Sequence, residues 1–181
     1  MDLNENVERV MISREQIEER VKALAAQLDK LYEGRTPVVV CILKGSVMFF
    51  ADLIREMKTP MQIDFMAVSS YGKNSISSGK LQVKKDLTVN ICGKDGADRG
   101  DIIDSGNTLY ELKKMLNSRS PASVNIVTLL DKPERREVPM EPEYKGFVIE
   151  DEFVVGYGLD YAEDYRNLPY VGVLKRSVYE K

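Results

Sequence analysis

Apolar residues recur along the chain in two patterns. Ile17, Val21, Leu24, Leu28 and Leu31 follow at intervals of three and four, the spacing of one buried helical face. Ser13-Arg14-Glu15-Gln16 ahead of them reads as a capping box, and Gly34 ends the helix. Val38–Leu43 is an unbroken apolar run, as expected of a strand covered on both faces in a parallel sheet. Lys44-Gly45-Ser46 is then a tight turn. Residues 47–57 predict a second helix, whose Val47, Met48, Phe49 and Phe50 suit either the core or a face between subunits. Strands are predicted over 61–69 and 81–89, separated by a Gly-, Ser-, Asn- and Lys-rich stretch that reads as a mobile loop. A helix over 108–116, a β-branched strand over 123–130 and a proline-rich loop over 131–142 follow. Short strands at 147–149 and 153–157 come last. Strands alternating with helices predict one α/β domain over 1–181, with a doubly wound, mainly parallel sheet. In such sheets ligands sit beyond the carboxyl ends of the strands, and the turn at Lys44 and the run beginning at Asp101 both fall there.

Composition narrows the chemistry. The chain is 43% hydrophobic and 30% charged, with a net charge of −3. That balance argues against a nucleic-acid partner. The longest apolar run is far too short to span a bilayer, and the acidic, polar start is not a secretory signal. Cys41 and Cys92 are too scattered for a disulfide framework or a zinc site, and are read as reduced thiols of a cytoplasmic protein. There is no histidine. A Ser-His-Asp triad, a Cys-His pair and any His-ligated metal are therefore excluded. Acid–base work falls to Asp, Glu, Lys or Tyr, and the first candidate for a catalytic metal is the oxygen-liganded Mg²⁺.

The most informative run is Asp101-Ile102-Ile103-Asp104-Ser105-Gly106-Asn107-Thr108. Its turn offers backbone N–H groups and two hydroxyls at a helix N-terminus, which suits a phosphate. Its carboxylates suit ribose hydroxyls, a metal or a proton, so the run outlines a phosphoribosyl site. Gly45 would allow a ligand close to the backbone. Ser69-Ser70-Tyr71-Gly72 opens the loop and is either a polar loop or a lid that excludes water. Lys132 is either a surface cation or a donor aimed at a carbonyl. Phe153 is either core or a surface for a flat ring. Asp160 could reach a metal and Arg166 a phosphate.

Together these segments resemble the hypoxanthine-guanine phosphoribosyltransferases, a purine-salvage branch of the type I phosphoribosyltransferases, over nearly the whole chain. Residues 40–46 resemble the family's pyrophosphate loop, Ser70-Tyr71-Gly72 its catalytic lid (about 70–82), 101–109 its phosphoribosyl-diphosphate signature, 129–132 its purine-binding lysine segment and 153–161 its base-stacking strand. The resemblance implies the type I fold, with a hood built from the N-terminal segment and about 145–181. It implies transfer of a phosphoribosyl group from 5-phosphoribosyl 1-diphosphate to a 6-oxopurine, giving IMP or GMP and pyrophosphate, in a cytoplasmic homodimer or homotetramer. Asp104 would accept the proton near purine N7, and Ser70 and Tyr71 would act catalytically in the lid that protects the ribose from water. Ser105, Gly106, Asn107 and Thr108 would hold the 5′-phosphate, and Asp101 the ribose hydroxyls. Lys44 and Gly45, with Arg166, would face pyrophosphate. Lys132 would meet the 6-oxo group, Phe153 would stack on the base and the Val154 backbone would meet its 2-position. Asp160 and Asp101 would serve Mg²⁺. Two neighbouring readings share this fold: a regulator that binds phosphoribosyl diphosphate, and the same enzyme acting on xanthine. The acidic charge, the lid motif and Lys132 argue against the regulator.

One segment departs from the family. A buried apolar strand ending in Glu-Asp is expected before Ile102, and the chain has Gly96-Ala97-Asp98-Arg99-Gly100-Asp101. These are poor central-strand residues, and an unpaired Asp98 or Arg99 inside a sheet would cost several kcal/mol. Gly100 stands where the family has a Glu that binds the ribose diol. Codons for Glu-Leu-Ile-Val-Glu-Asp, read with one G gained before and one lost after, give this segment, which thus has the form of a compensated frame change.

Overall fold

A computed structural model describes residues 3–70 and 81–180, leaving aside the side chains of Ser70, Ala97, Asp98, Arg99 and Asp101. The first helix, α1 (Arg14–Leu31), starts where its capping box places it: Ser13 Oγ accepts from Gln16 N at 3.3 Å, and Gln16 Oε1 accepts from Ser13 N at 2.8 Å. Its Ile17, Val21, Leu24, Ala25 and Leu28 are buried. The main sheet has six strands: β2 (Val38–Leu43), β3 (Gln62–Ser70), β4 (Leu81–Lys85), β5 (Asp95–Ile103), β6 (Ser123–Asp131) and β7 (Tyr144–Val148). Their order is β4-β3-β2-β5-β6-β7, with β4 antiparallel to β3 and every other neighbouring pair parallel.

Helices cover both faces. α1 and α2 (Val47–Glu56) pack on one side, where Phe49 and Leu53 join Val127 and Leu129. α3 (Asn107–Asn117) lies on the other, with Leu109, Leu112 and Leu116 against Val38, Val40, Met66 and Ile126. Phe49 and Phe50 are core residues, at 0% and 2% exposure, while Met48 faces outward. The helix thus spends its aromatics on the core rather than on a subunit face.

A second, three-stranded sheet sits apart, in the order β1 (Val7–Ile12), β9 (Val171–Leu174), β8 (Val154–Val155), all antiparallel. A short turn of helix, α4 (Arg176–Tyr179), follows β9.

Three predicted strands differ by more than one residue at an end. The strand expected over 81–89 stops at Lys85, because Thr88 N and Val89 N donate to the Asp64 carboxylate (2.6 and 2.8 Å) instead of to a ladder. That expected over 147–149 runs from Tyr144 to Val148. That expected over 153–157 shrinks to Val154–Val155, since Gly156 at φ +96° turns the chain away.

The central position of β5 shows packing overriding propensity. Its backbone pairs with β2 from Val38↔Gly96 to Cys41↔Arg99 and with β6 from Asp95↔Ser123 to Ile103↔Asp131. Gly96 pairs on both sides, with Val38 and Val124, and Gly100 pairs with Thr128, so the backbone ladder holds positions that have no side chain to pack. Tyr32, fully buried, donates its hydroxyl to Gly96 O at 3.2 Å and accepts from Asn125 Nδ2 at 3.0 Å.

Asp64 fastens β3 to the chain after β4. It is 4% exposed and also accepts from Phe65 N at 2.7 Å. Burial alone would raise its pKa, but these N–H donors outweigh it and hold the carboxyl below its ordinary range. Because the folded pKa is depressed, this stabilisation is present above the unfolded value of about 3.9 and disappears as pH falls below it. Asp64→Ala should cost about 2–4 kcal/mol in urea unfolding at pH 7, with the gap to wild type closing in acid. A pH-independent gap would remove the charge from the explanation.

Candidate active site

Three loops at the carboxyl edge of the parallel strands form the site. After β2 the Leu43–Lys44 peptide is cis. Ser46, fully buried, donates to Ile42 O at 2.5 Å, closing the turn from which α2 starts. Exposed Lys44 pairs with Glu163 at 2.9 Å. Gly45 lies against Gly158: a Cβ on Gly158, at φ +101°, would fall 1.9 Å from Gly45 O. This contact locks the Lys44-Gly45 turn to the loop that carries Asp160, Glu163 and Arg166.

In that loop Arg166 donates to Gly158 O at 2.8 Å, and its Nη2 lies 2.9 Å from Asp160 and 3.4 Å from Glu163. The other Asp160 oxygen accepts from Glu163 N at 2.9 Å. Arg166 Nε is buried and meets no acceptor among the described residues.

The second loop follows β5. Asp104 is half-exposed, and Gly106, at φ +84°, opens α3. Asn107 N and Nδ2 face Ser105 Oγ at 3.4 and 3.2 Å, and Asn107 and Thr108 are exposed at the helix N-terminus. A neighbouring segment braces this loop. Arg136 donates to Asp104 O at 2.8 Å and pairs with Asp131, which is 1% exposed and also holds Lys145 at 3.1 Å. Glu137 N donates to Ser105 O at 2.9 Å, and Glu137 accepts from Asn107 Nδ2 at 2.6 Å. Arg135 Nε sits 2.8 Å from Asp104 Oδ1, and its Nη1 is 3.2 Å from Asp151. The Asp104 contact is ionic rather than a directed hydrogen bond, since Oδ1 has no hydrogen-bond partner among the described residues.

The third loop follows β6. Lys132 is 6% exposed; its backbone N–H donates to Ile103 O at 2.9 Å, placing it beside the Asp104 loop. Its amine donates to Glu152 O at 2.7 Å and lies 3.9 Å from Asp151. Burial lowers the pKa of this amine, against the opposing pull of Asp104 and Asp151. A cleft of about 500 Å³ joins these groups, lined among others by Ile102, Asp104, Lys132, Phe153, Val154 and Asp160.

The expected residues Asp104, Lys132, Phe153, Val154 and Asp160 therefore share one cleft. Lys44, Gly45 and Arg166 adjoin it through Asp160 and Gly158, and residues 105–108 cap α3 beside Asp104. Tyr71 lies outside the described residues, and for Ser70 and Asp101 only the backbone is described.

The sequence profile of the phosphoribosyl transferase domain matches residues 12–162. The chain is 50% identical over 177 residues to the hypoxanthine-guanine phosphoribosyltransferase of Streptococcus pneumoniae, covering 98% of each. It belongs to the hypoxanthine-guanine phosphoribosyltransferase family. A crystal structure of a hypoxanthine phosphoribosyltransferase from Staphylococcus aureus superposes with a TM-score of 0.96 at 48% identity, covering 100% of this chain and 98% of that one. The bifunctional protein TilS/HprT of Listeria monocytogenes is 47% identical over 179 residues, which are 99% of this chain but 28% of that protein. The chain thus spans under a third of that relative's length.

Within the phosphoribosyltransferase frame, sequence reasoning missed Arg135, Arg136, Asp151, Glu163 and Gly158. The first two stand in a charged, proline-rich stretch whose residue types suggest only a solvated loop, and no local spacing pairs them with Asp104. Gly158 and Glu163 act on a turn more than a hundred residues away. One signal was available: Gly156 and Gly158 flanking Tyr157 mark a backbone that bends sharply or is closely approached.

Proposed function

We propose that the chain transfers the 5-phosphoribosyl group of 5-phosphoribosyl 1-diphosphate to hypoxanthine or guanine, forming IMP or GMP and pyrophosphate. The observation that carries this reading is the meeting of the Asp104 carboxylate, the buried Lys132 amine and the partly open Phe153 ring in one cleft, next to the N-terminus of α3. A flat base fits between Phe153 and Ile102, with its 6-oxo group toward Lys132. The backbone of Val154 edges the 2-position. Residues 105–108 bind the 5′-phosphate through N–H groups and hydroxyls.

In the reaction, purine N9 bonds to ribose C1′ while the bond from C1′ to the diphosphate oxygen breaks, its electron pair leaving with pyrophosphate. The proton lost by the base near N7 passes to Asp104. Positive charge develops on the ribose as the bond breaks, and the carboxylates of Asp104 and Asp101 favour it. Lys44, Gly45 and Arg166 orient the diphosphate.

Mg²⁺ fits this donor set. It keeps several waters and needs only one or two carboxylates together with substrate phosphates. Asp160, whose oxygens already serve Arg166 and Glu163 N, suits a contact through water, and Asp101 suits the ribose side. When bound, Mg²⁺ neutralises diphosphate charge. Gly100 offers no carboxylate here, so ribose and metal rely on Asp101 alone among the two positions. We place the enzyme in the cytoplasm, as a homodimer or homotetramer, with Cys41 and Cys92 reduced rather than joined in a disulfide.

Turnover with hypoxanthine, guanine, xanthine and adenine, with and without Mg²⁺, tests the proposal. The expected result is Mg²⁺-dependent formation of IMP or GMP and poor use of adenine, whose 6-amino group offers no acceptor lone pair comparable to an oxo group for Lys132. Inactivity on every 6-oxopurine would overturn it.

A further inference from the structure

We infer that Tyr179 is a positioning residue for the purine, acting through Phe153; this rests on the purine reading of the cleft. Phe153 immediately precedes the two-residue strand β8, with little regular structure of its own to hold its ring. Its backbone is tied to β9, since Leu174 N donates to Phe153 O at 2.8 Å. Its ring is held by two tyrosines. Tyr179 stacks on it with centroids 4.8 Å apart and planes 23° apart, and Tyr161 meets it edge-on at 5.7 Å and 84°.

Phe153 keeps 38% of its surface exposed, and it lines the cleft together with Ile102 and Tyr179. Tyr179 thus holds the plane of the Phe153 ring in the wall of the cleft where a planar base would stack.

The turn that carries Tyr179 is itself anchored. Lys175 N donates to Asn6 O at 2.9 Å, its amine donates to Glu5 O at 2.6 Å, and Val178 N donates to Lys175 O at 3.0 Å. Tyr179 also packs with Leu3, Val7 and Val178 against Val155 and Leu174. A ring fixed before the base arrives lowers the ordering cost of stacking. The effect belongs to base affinity and not to the phosphate end of the cleft. The stack needs the aromatic face and not the hydroxyl.

Steady-state kinetics on Tyr179→Ala, Tyr179→Leu and Tyr179→Phe test this. Loss of one aromatic pair predicts a rise of about 3- to 10-fold in KM for hypoxanthine in the Ala and Leu variants. KM for 5-phosphoribosyl 1-diphosphate should stay unchanged, and the Phe variant should match wild type. An unchanged or lowered hypoxanthine KM in the Ala variant, a Leu variant equal to wild type, or an equal rise in both KM values would overturn the inference. If the wild-type enzyme turned over no 6-oxopurine, the substrate reading beneath it would fall instead.

Discussion

Replacing Asp104 with Asn is expected to lower kcat by roughly 10²-fold or more while leaving the fold intact. Asn has the same shape but cannot take a proton from the base at neutral pH. Stability should hardly change, because among the described residues the ion pair lost is that with Arg135, and both partners are about half-exposed. Such pairs contribute about 0–1 kcal/mol. The bond from Arg136 to Asp104 O uses the backbone and survives the substitution. A second consequence separates this from a general disturbance of the cleft. Asp104 is one of the charges that keep Lys132 protonated against its burial. Without it the amine loses its proton at lower pH, so the alkaline limb of kcat/KM for the purine should move down. Near-normal turnover would exclude Asp104 as the base; unchanged alkaline behaviour would separate it from Lys132.

Gly158→Ala is the substitution expected to harm most without touching a reacting group. The new Cβ would lie 1.9 Å from Gly45 O, and the atom it meets is backbone, which cannot rotate away as a side chain can. At φ +101° an L-residue is strained as well. Overpacking and strain together should destabilise the protein by about 3 kcal/mol or more, measured by urea unfolding. Relief by movement of the Lys44-Gly45 turn should raise KM for 5-phosphoribosyl 1-diphosphate at least about tenfold, since a displacement near 1 Å can cost 10²-fold. Wild-type stability together with wild-type KM would mean that the two loops do not depend on each other.

The elements that could be read from the sequence are those whose information is local. The capping box and the apolar spacing of α1 lie within one segment, and so does the apolar run of β2. Asp104 stands out within its own run, whereas Lys132 and Phe153 each admit two local readings and take their expected roles from the family resemblance. What escaped is what distant contacts decide. β1 carries Val7-Glu8-Arg9-Val10-Met11-Ile12, whose pairing with β9 is interrupted by register shifts, so no clean alternation marks it. β5 contradicts its own propensities, and its pairing with β2 and β6 holds it in the sheet. The Arg135 and Arg136 contacts join a loop after β6 to a loop after β5, and adjacency of those strands has no local signature.

The small sheet sets an order on biosynthesis. β1 and β8 meet only through β9, the last of the described strands to be made. The six-stranded sheet, with the Asp104 and Lys132 loops, consists of earlier segments and can assemble while later residues are still in the ribosome. The wall carrying Phe153 has no such freedom: its strand β8 stays unpaired until residues 171–174 emerge. A ribosome stalled just before that point should therefore display a formed phosphate end and an unformed base end, so that nascent chains gain affinity for the two substrates at different lengths.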